Sequence, residues 1–410
     1  MRQGFLALVV LAFAAPALTA NWPGFRGPHG NGAADEKTLP LQWGPKDNIA
    51  WKVALPGPGA SSPIIWGDRV FVTAFTGTKA SEIIRHILCF DRGTGKNLWQ
   101  KSYPAPLPEN DYAKQVVQHG LTTATPATDG QRLYVYFGRG GLHVLDLDGK
   151  PLWNADLGDG TIVFGSGASP LLVGDKVIVN ACAESRHLVA FDKVRGKPLW
   201  KSEINGMCWS TPVVVEPAKG KQEILLNVGA GLYGFDAETG KELWSVDIVA
   251  AYNGSTPLVR DGIIYVMNQG QGEKEFVAVR AGGRGDVTKT HVVWRQAKAG
   301  ASYTSPLITG DRLFYVSGQA HALRASDGQI VAKKSLQGVQ SVYGSPILVG
   351  DKILLFTRYN GAYVLSADDK MQVLAHNQLG DDSAFNASPA LVEGQLFIRS
   401  NQYLYCIGKK

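Results

Sequence analysis

The 410-residue chain is poor in several features that commonly announce function. It has four cysteines, no two adjacent, which excludes a dense disulfide framework. Its eight histidines are dispersed, with no pair at metal-ligand spacing, so no metal centre is expected. Charged residues make up 19% and form no blocks; the net charge of +6 is that of a solvated surface, and nucleic acid is not an expected partner. No stretch approaches the roughly 18 unbroken apolar residues of a membrane-spanning helix, so no transmembrane segment is expected. Helical periodicity is missing too, and Gly-rich pieces such as Gly138–Gly141 lack the strand-to-helix setting of a phosphate cradle.

What the chain has is apolar and aromatic material: 45% hydrophobic residues with 10 Trp, 14 Tyr and 15 Phe, enough for a large core. Residues 1–20 read as a secretory signal, with Arg2, an apolar run from Phe5 to Ala15 and small residues ending at Ala17 or Ala20. The expectation is an exported, soluble, monomeric protein of the periplasm or extracellular space. The cleavage region contains no Cys for lipid attachment.

The strongest signal is a repeat. A Ser or Thr, a Pro and an apolar run recur at Pro63, Pro126, Pro170, Pro212, Pro257, Pro306, Pro346 and Pro389, which defines eight units. After the first interval, which carries a Pro-rich insertion at Tyr103–Gly120, the anchors lie 40 to 49 residues apart. Each unit continues through a Gly-Asp or Asp-Gly turn, a second and a third apolar run, a turn such as Ala237–Lys241 and an outer run ending in Trp. Four short strands per unit are the pattern of a propeller blade.

The fold class is therefore all-β, an eight-bladed β-propeller over residues 48–410, with residues 21–47 as an extension packed on it. The last unit stops after its third strand at Tyr403–Ile407, and Asn48–Leu55 is a fourth strand without a unit, so the N-terminal strand is expected to complete the last blade. Pro suits the innermost strand because it cannot donate to a ladder, and the preceding hydroxyl is expected to bond nearby backbone at its own turn. Trp51, Trp99, Trp153, Trp200, Trp244 and Trp294 are expected to pack between blades.

The phrases Phe90–Trp99, Phe191–Trp200 and Phe235–Trp244 resemble the repeat of the quinoprotein dehydrogenase-like propellers, and Trp22–Gly32 with Ala50–Pro63 is similar to secreted PQQ-like repeat proteins. That family holds both PQQ-dependent dehydrogenases and the BamB-type scaffold, which binds no quinone. The resemblance implies either a non-catalytic binding scaffold or, as the alternative, a quinone-dependent or other propeller enzyme acting on alcohols or sugars. The dehydrogenases use a calcium ion, an acidic base and often two adjacent cysteines. Here no cysteines adjoin and no Asp stands out as a base, so the scaffold is the expected reading, with no cofactor. PQQ with calcium remains the alternative.

Candidate ligand-binding residues gather where the chain enters each innermost strand: His119, Phe164, Trp209, Tyr252, Asn253, Tyr303, Tyr343, Phe385 and Asn386. The turns after the second strands add Arg139, Glu184, Arg358, Tyr359 and Asn360, and both sets are expected to project over one channel mouth. The expected partner is a protein or small molecule at that mouth. Cys182 and Cys208 fall on one face of adjacent blades, where a disulfide could form in an oxidising compartment.

Overall fold

The computed structural model describes residues 21–105, 109–162, 164–229, 231–249, 254–270, 272–339 and 342–408. Among these, eight sheets of antiparallel blade strands, two of them extended by a two-residue parallel strand, account for almost all regular structure, and a four-residue α-turn at Cys182–Ser185 is the one α-helical element. The blades, numbered 1 to 8, run from innermost to outermost strand over residues 64–104, 127–155, 171–203, 213–247, 258–297, 307–334 and 347–377, with 390–407 as the last. Ile49–Ala54 pairs antiparallel with Tyr403–Ile407 and supplies the outermost strand of blade 8. The ring thus closes as the repeat count requires, leaving no open edge between first and last blade.

The outermost strand of every blade carries a β-bulge that the sequence pattern did not disclose. In blade 1, Cys89 pairs with Trp99 and Phe90 with Asn97, so Leu98 is left out of the ladder, and the same slip recurs in the other seven blades. The extra residue bends the strand and turns the following Trp inward, which is why Leu98, Leu152 and Leu199 are exposed beside largely covered tryptophans. The residue opposite the Trp is Cys89, Ala190 or Cys406 in blades 1, 3 and 8 and Val144 in blade 2; at Gly234 a Cβ would lie 2.2 Å from Trp244.

Each of these rings then docks on the next blade. Trp51 lies against Gly95, Trp99 against Gly149, Trp153 against Gly196, Trp200 against Gly240 and Trp294 against Gly328, each glycine with φ between +71° and +82° in the last turn of the following blade. Four of the indole N–H groups donate to a carbonyl of the same neighbour: Trp51 to Arg92, Trp99 to Leu147, Trp200 to Ala237 and Trp294 to Ala325, at 2.8 to 3.1 Å. The Trp51–Gly95 contact is the one between blades 8 and 1, so the N-terminal strand closes the ring with the device used elsewhere.

Contrary to the expectation from sequence that the hydroxyl before each anchor proline serves its own turn, seven of the eight hydroxyls accept an amide from the preceding blade. The N–H groups of Ser62, Thr125 and Ser169 donate to the hydroxyls of Thr125, Ser169 and Thr211, and those of Thr256, Ser305, Ser345 and Ser388 to Ser305, Ser345, Ser388 and Ser62, at 2.8 to 3.1 Å. This chain of bonds runs round the channel and breaks once, between blades 4 and 5, where the Thr256 hydroxyl has no partner among the described residues. A buried Asn227–Asn268 amide pair at 2.8 Å spans that seam instead.

The extension crosses the far end of the channel. Trp22 exchanges two backbone bonds with Ile65 of blade 1, the Pro23 carbonyl accepts from Thr128 of blade 2, and Ala33–Ala34 pairs in parallel with Leu348–Val349 of blade 7. Beyond it, Trp43 stacks on Phe356 at 6.3 Å, in the gap between blades 7 and 8 where the outermost strand of blade 7, Val373–Asn377, has no Trp. The insertion after blade 1 is more than a surface loop. Glu109 pairs with buried Arg85, Tyr112 packs edge-on against Phe75, and the far end reaches blade 7, where Tyr343 donates to the Gln118 side chain at 2.7 Å.

Candidate functional site

Between the plug and the open face lies a channel cavity of about 150 Å³. Each blade contributes the residues at its entry to the innermost strand, because that is the point of the chain nearest the axis. Phe25 of the extension forms the floor, and the hydroxyls of Ser62, Thr125, Ser169, Thr211, Ser345 and Ser388 line the wall. Trp209, Tyr303, Tyr343, Phe164, His119 and Asn386 stand above them, as expected. Phe164 meets Trp209 edge-on at 5.7 Å, Tyr303 and Tyr343 lie 4.7 Å apart, and the Trp209 indole donates to the Gly165 carbonyl at 2.7 Å. Burial and the nearby Arg358 lower the His119 pKa to about 4, since both disfavour the imidazolium.

Arg358 joins this rim from a second-strand turn. Its Nε donates to Asn386 Oδ1 at 2.8 Å and its Nη2 to the Gln118 carbonyl at 2.9 Å, while the guanidinium lies 4.3 Å from the Tyr343 ring centroid. Gln118, in the insertion, was not among the expected site residues; insertions carry no repeat register from which to place them.

Several expected site residues lie elsewhere. Phe385 is buried in the core between blades 7 and 8, stacked on Phe356 and Tyr405, because the residue before Asn386 faces away from the axis. Glu184 is buried between blades 2 and 3, accepting from the Tyr136 and Ser166 hydroxyls, and burial holds its pKa above the usual carboxylate range. Arg139 lines a separate hollow of about 440 Å³ between blades 1 and 2. Tyr359 is 61% exposed and borders another hollow, of about 680 Å³, beside blade 8; Asn360 bonds the Gln337 carbonyl. The physical reason is radial. Second-strand turns share the face with the innermost-strand entries but sit between strands two and three, more than one interstrand spacing of about 4.8 Å farther from the axis. Only a long side chain such as Arg358 reaches back. Tyr252 and Asn253 lie outside the described residues.

Cys182 and Cys208 occupy one core cluster between blades 3 and 4, yet each is a free thiol. Cys182 Sγ donates to the Gly206 carbonyl at 2.9 Å and Cys208 Sγ to the Asn227 carbonyl at 3.1 Å, so no disulfide joins them here. Burial raises the Cys182 thiol to about 11 and the Cys208 thiol higher still.

A quinone–calcium group fits these surroundings poorly. Calcium asks for several converging carboxylate or carbonyl oxygens, and none of the described lining residues is an acid. Among the described residues no cluster of three or more His, Cys, Asp or Glu could hold a metal ion, and no helix is long and apolar enough to cross a membrane.

Residues 84–334 and 220–410 match the family described as outer membrane protein assembly factor BamB. That protein from Burkholderia pseudomallei is 24% identical over 350 residues, 74% of this chain and 83% of the relative. Tetrathionate hydrolase of Acidithiobacillus ferrooxidans is 24% identical over 291 residues, 66% of this chain; the chain spans about half of that enzyme, 53%. The crystal structure of BamB from Moraxella catarrhalis matches with a TM-score of 0.62 at 15% identity, covering 88% of this chain and 99% of that one, a likeness of fold. The repeat, the closed eight-blade ring and these matches agree: the chain belongs to the BamB family of PQQ-like β-propeller repeat proteins.

Proposed function

We propose that this protein is an exported, non-catalytic binding scaffold that receives a partner protein on the face where the chain enters the innermost strands. The observation that carries this reading is the character of that face. Tyr303, Tyr359, Val117 and Met207 stand 43 to 61% exposed around an aromatic funnel whose described lining offers no acid to serve as a base. Exposed aromatics beside an apolar hollow are what protein interfaces use as anchors. The relatives named for outer membrane assembly favour the same reading, and the signal-like pattern of residues 1–20 favours a location in the periplasm or outside the cell.

Photo-crosslinking tests it. A crosslinker at Tyr303 or Tyr359 in the native envelope should capture one discrete partner, while the same group at Lys219, in a first turn on the opposite face, should not. Equal capture from both positions would remove the claim for this face. The alternative, a propeller enzyme, is favoured by the likeness to tetrathionate hydrolase and is checked separately. Added PQQ and calcium should leave no bound chromophore and no dye-reducing activity.

A further inference from the structure

The channel wall has an electrostatic character that protein docking does not require. Six of the lining hydroxyls, those of Ser62, Thr125, Ser169, Thr211, Ser345 and Ser388, each accept a backbone N–H from the preceding blade, and among the described residues none of the six donates its own proton to a protein acceptor, whereas the Thr123 hydroxyl donates to the Gly120 carbonyl. Accepting a hydrogen bond polarises a hydroxyl and makes it a better donor. The channel is therefore ringed by O–H groups in want of acceptors.

Outside the lining, but each next to a lining residue, are three guanidinium groups that form no ion pair among the described residues. Arg26, next to the floor residue Phe25, is 2% exposed and bonds the carbonyls of Asn31 and Pro306, while its Nε and Nη1 have no partner. Arg399, fully buried at the seam of blades 8 and 1, reaches the carbonyls of Thr73 and Ser400 and leaves Nη2 unpaired. Its Nη1 lies against Gly59, beside the lining residue Ala60. Arg358 holds the rim. A buried cation without a counter-ion is unfavourable, and burial alone pulls Arg26 and Arg399 down to about 9. None of the described lining residues is a carboxylate that would offset this charge.

We propose that the channel binds a small aromatic carboxylate, its two oxygens accepting from an arc of the hydroxyl ring and its ring lying among Trp209, Phe164, Tyr303 and Tyr343. A carboxylate supplies acceptors without donors, which suits a wall of donors, and its charge complements the three guanidinium groups. The cavity of about 150 Å³ matches one six-membered ring. No covalent step is involved. This site does not depend on the docking face: a carboxylate could occupy the channel whether or not a partner covers its mouth.

Calorimetric titration of the intact protein with benzoate, benzamide and cyclohexanecarboxylate, at pH 7 and fixed ionic strength, tests the inference. Benzoate is expected to bind at a single site, with benzamide at least tenfold weaker for want of charge and cyclohexanecarboxylate weaker for want of a flat ring. Trp209→Leu should weaken benzoate at least tenfold, and Arg358→Gln severalfold without changing benzamide. Absence of benzoate binding at millimolar concentration, equal binding of acid and amide, or a benzoate affinity indifferent to Trp209→Leu would overturn it. The three ligands compared on the unaltered protein decide the question even if a variant fails to fold.

Discussion

At the scale of single residues, the glycine of each last turn answers two demands at once. Gly240 has φ +72°, where a side chain is strained, and its missing Cβ makes room for Trp200, whose ring carbons would lie 2.5 Å away. Gly240→Ala should therefore cost more than the roughly 1 kcal/mol of backbone strain alone. A loss of about 2 to 4 kcal/mol in denaturant unfolding, accompanied by a change in Trp fluorescence, is the expected result. His119 sets a pH dependence of definite sign. Its edge is partly exposed, but neighbours enclose it and hold its pKa near 4, below the ordinary 6.5. The stability its neutral ring contributes is present above pH 6.5 and lost as pH falls toward 4, at most about 3 kcal/mol. His119→Asn, which can keep the bond to Thr123, should flatten that part of the stability-versus-pH curve.

At the scale of elements, the closing strand carries the heaviest duty. Ile49–Ala54 bonds Tyr403–Ile407 along its length and delivers Trp51 to Gly95 of blade 1. Without it, blade 8 would expose the ladder groups of its third strand and blade 1 would lose its Trp cover. Deletion of Asn48–Leu55 should yield aggregated or unfolded protein; a monomer with unchanged melting temperature, seen by size-exclusion chromatography and calorimetry, would contradict this. The insertion is the other element with a place in the argument. Its Arg85–Glu109 anchor and its Gln118–Tyr343 contact let one loop touch blades 1 and 7 across the mouth, so it shapes the funnel as well as bridging it.

At the scale of the whole molecule, the hydroxyl-to-amide bonds tie neighbouring blades at the axis while the tryptophans tie them farther out. The two ties predict different costs at equivalent positions. Ser388→Ala would leave the Ser345 N–H buried without an acceptor and should cost about 1 to 3 kcal/mol. Thr256→Val removes a hydroxyl that has no partner among the described residues and should be neutral or slightly stabilising in the same urea titration. A similar loss in both variants would mean that the ring bonds contribute little.

The sequence by itself determined the number of blades, the four-strand order within each and the closure by the N-terminal strand, because these follow from local periodicity, turn chemistry and the spacing of Pro anchors, all of which are contiguous along the chain. It also pointed to Trp209, Tyr303, Tyr343 and Asn386 at the channel, since position in the repeat fixes position at the axis. Only the tertiary structure decided that Phe385, Glu184 and Arg139 turn away, that Gln118 and Phe25 join the site, and that the Ser and Thr hydroxyls serve the neighbouring blade. Those outcomes depend on radial distance, on the direction of one side chain, and on contacts between residues far apart in the chain. Arg26 and Pro306, 280 positions apart, meet only once the ring has closed and the extension has crossed it.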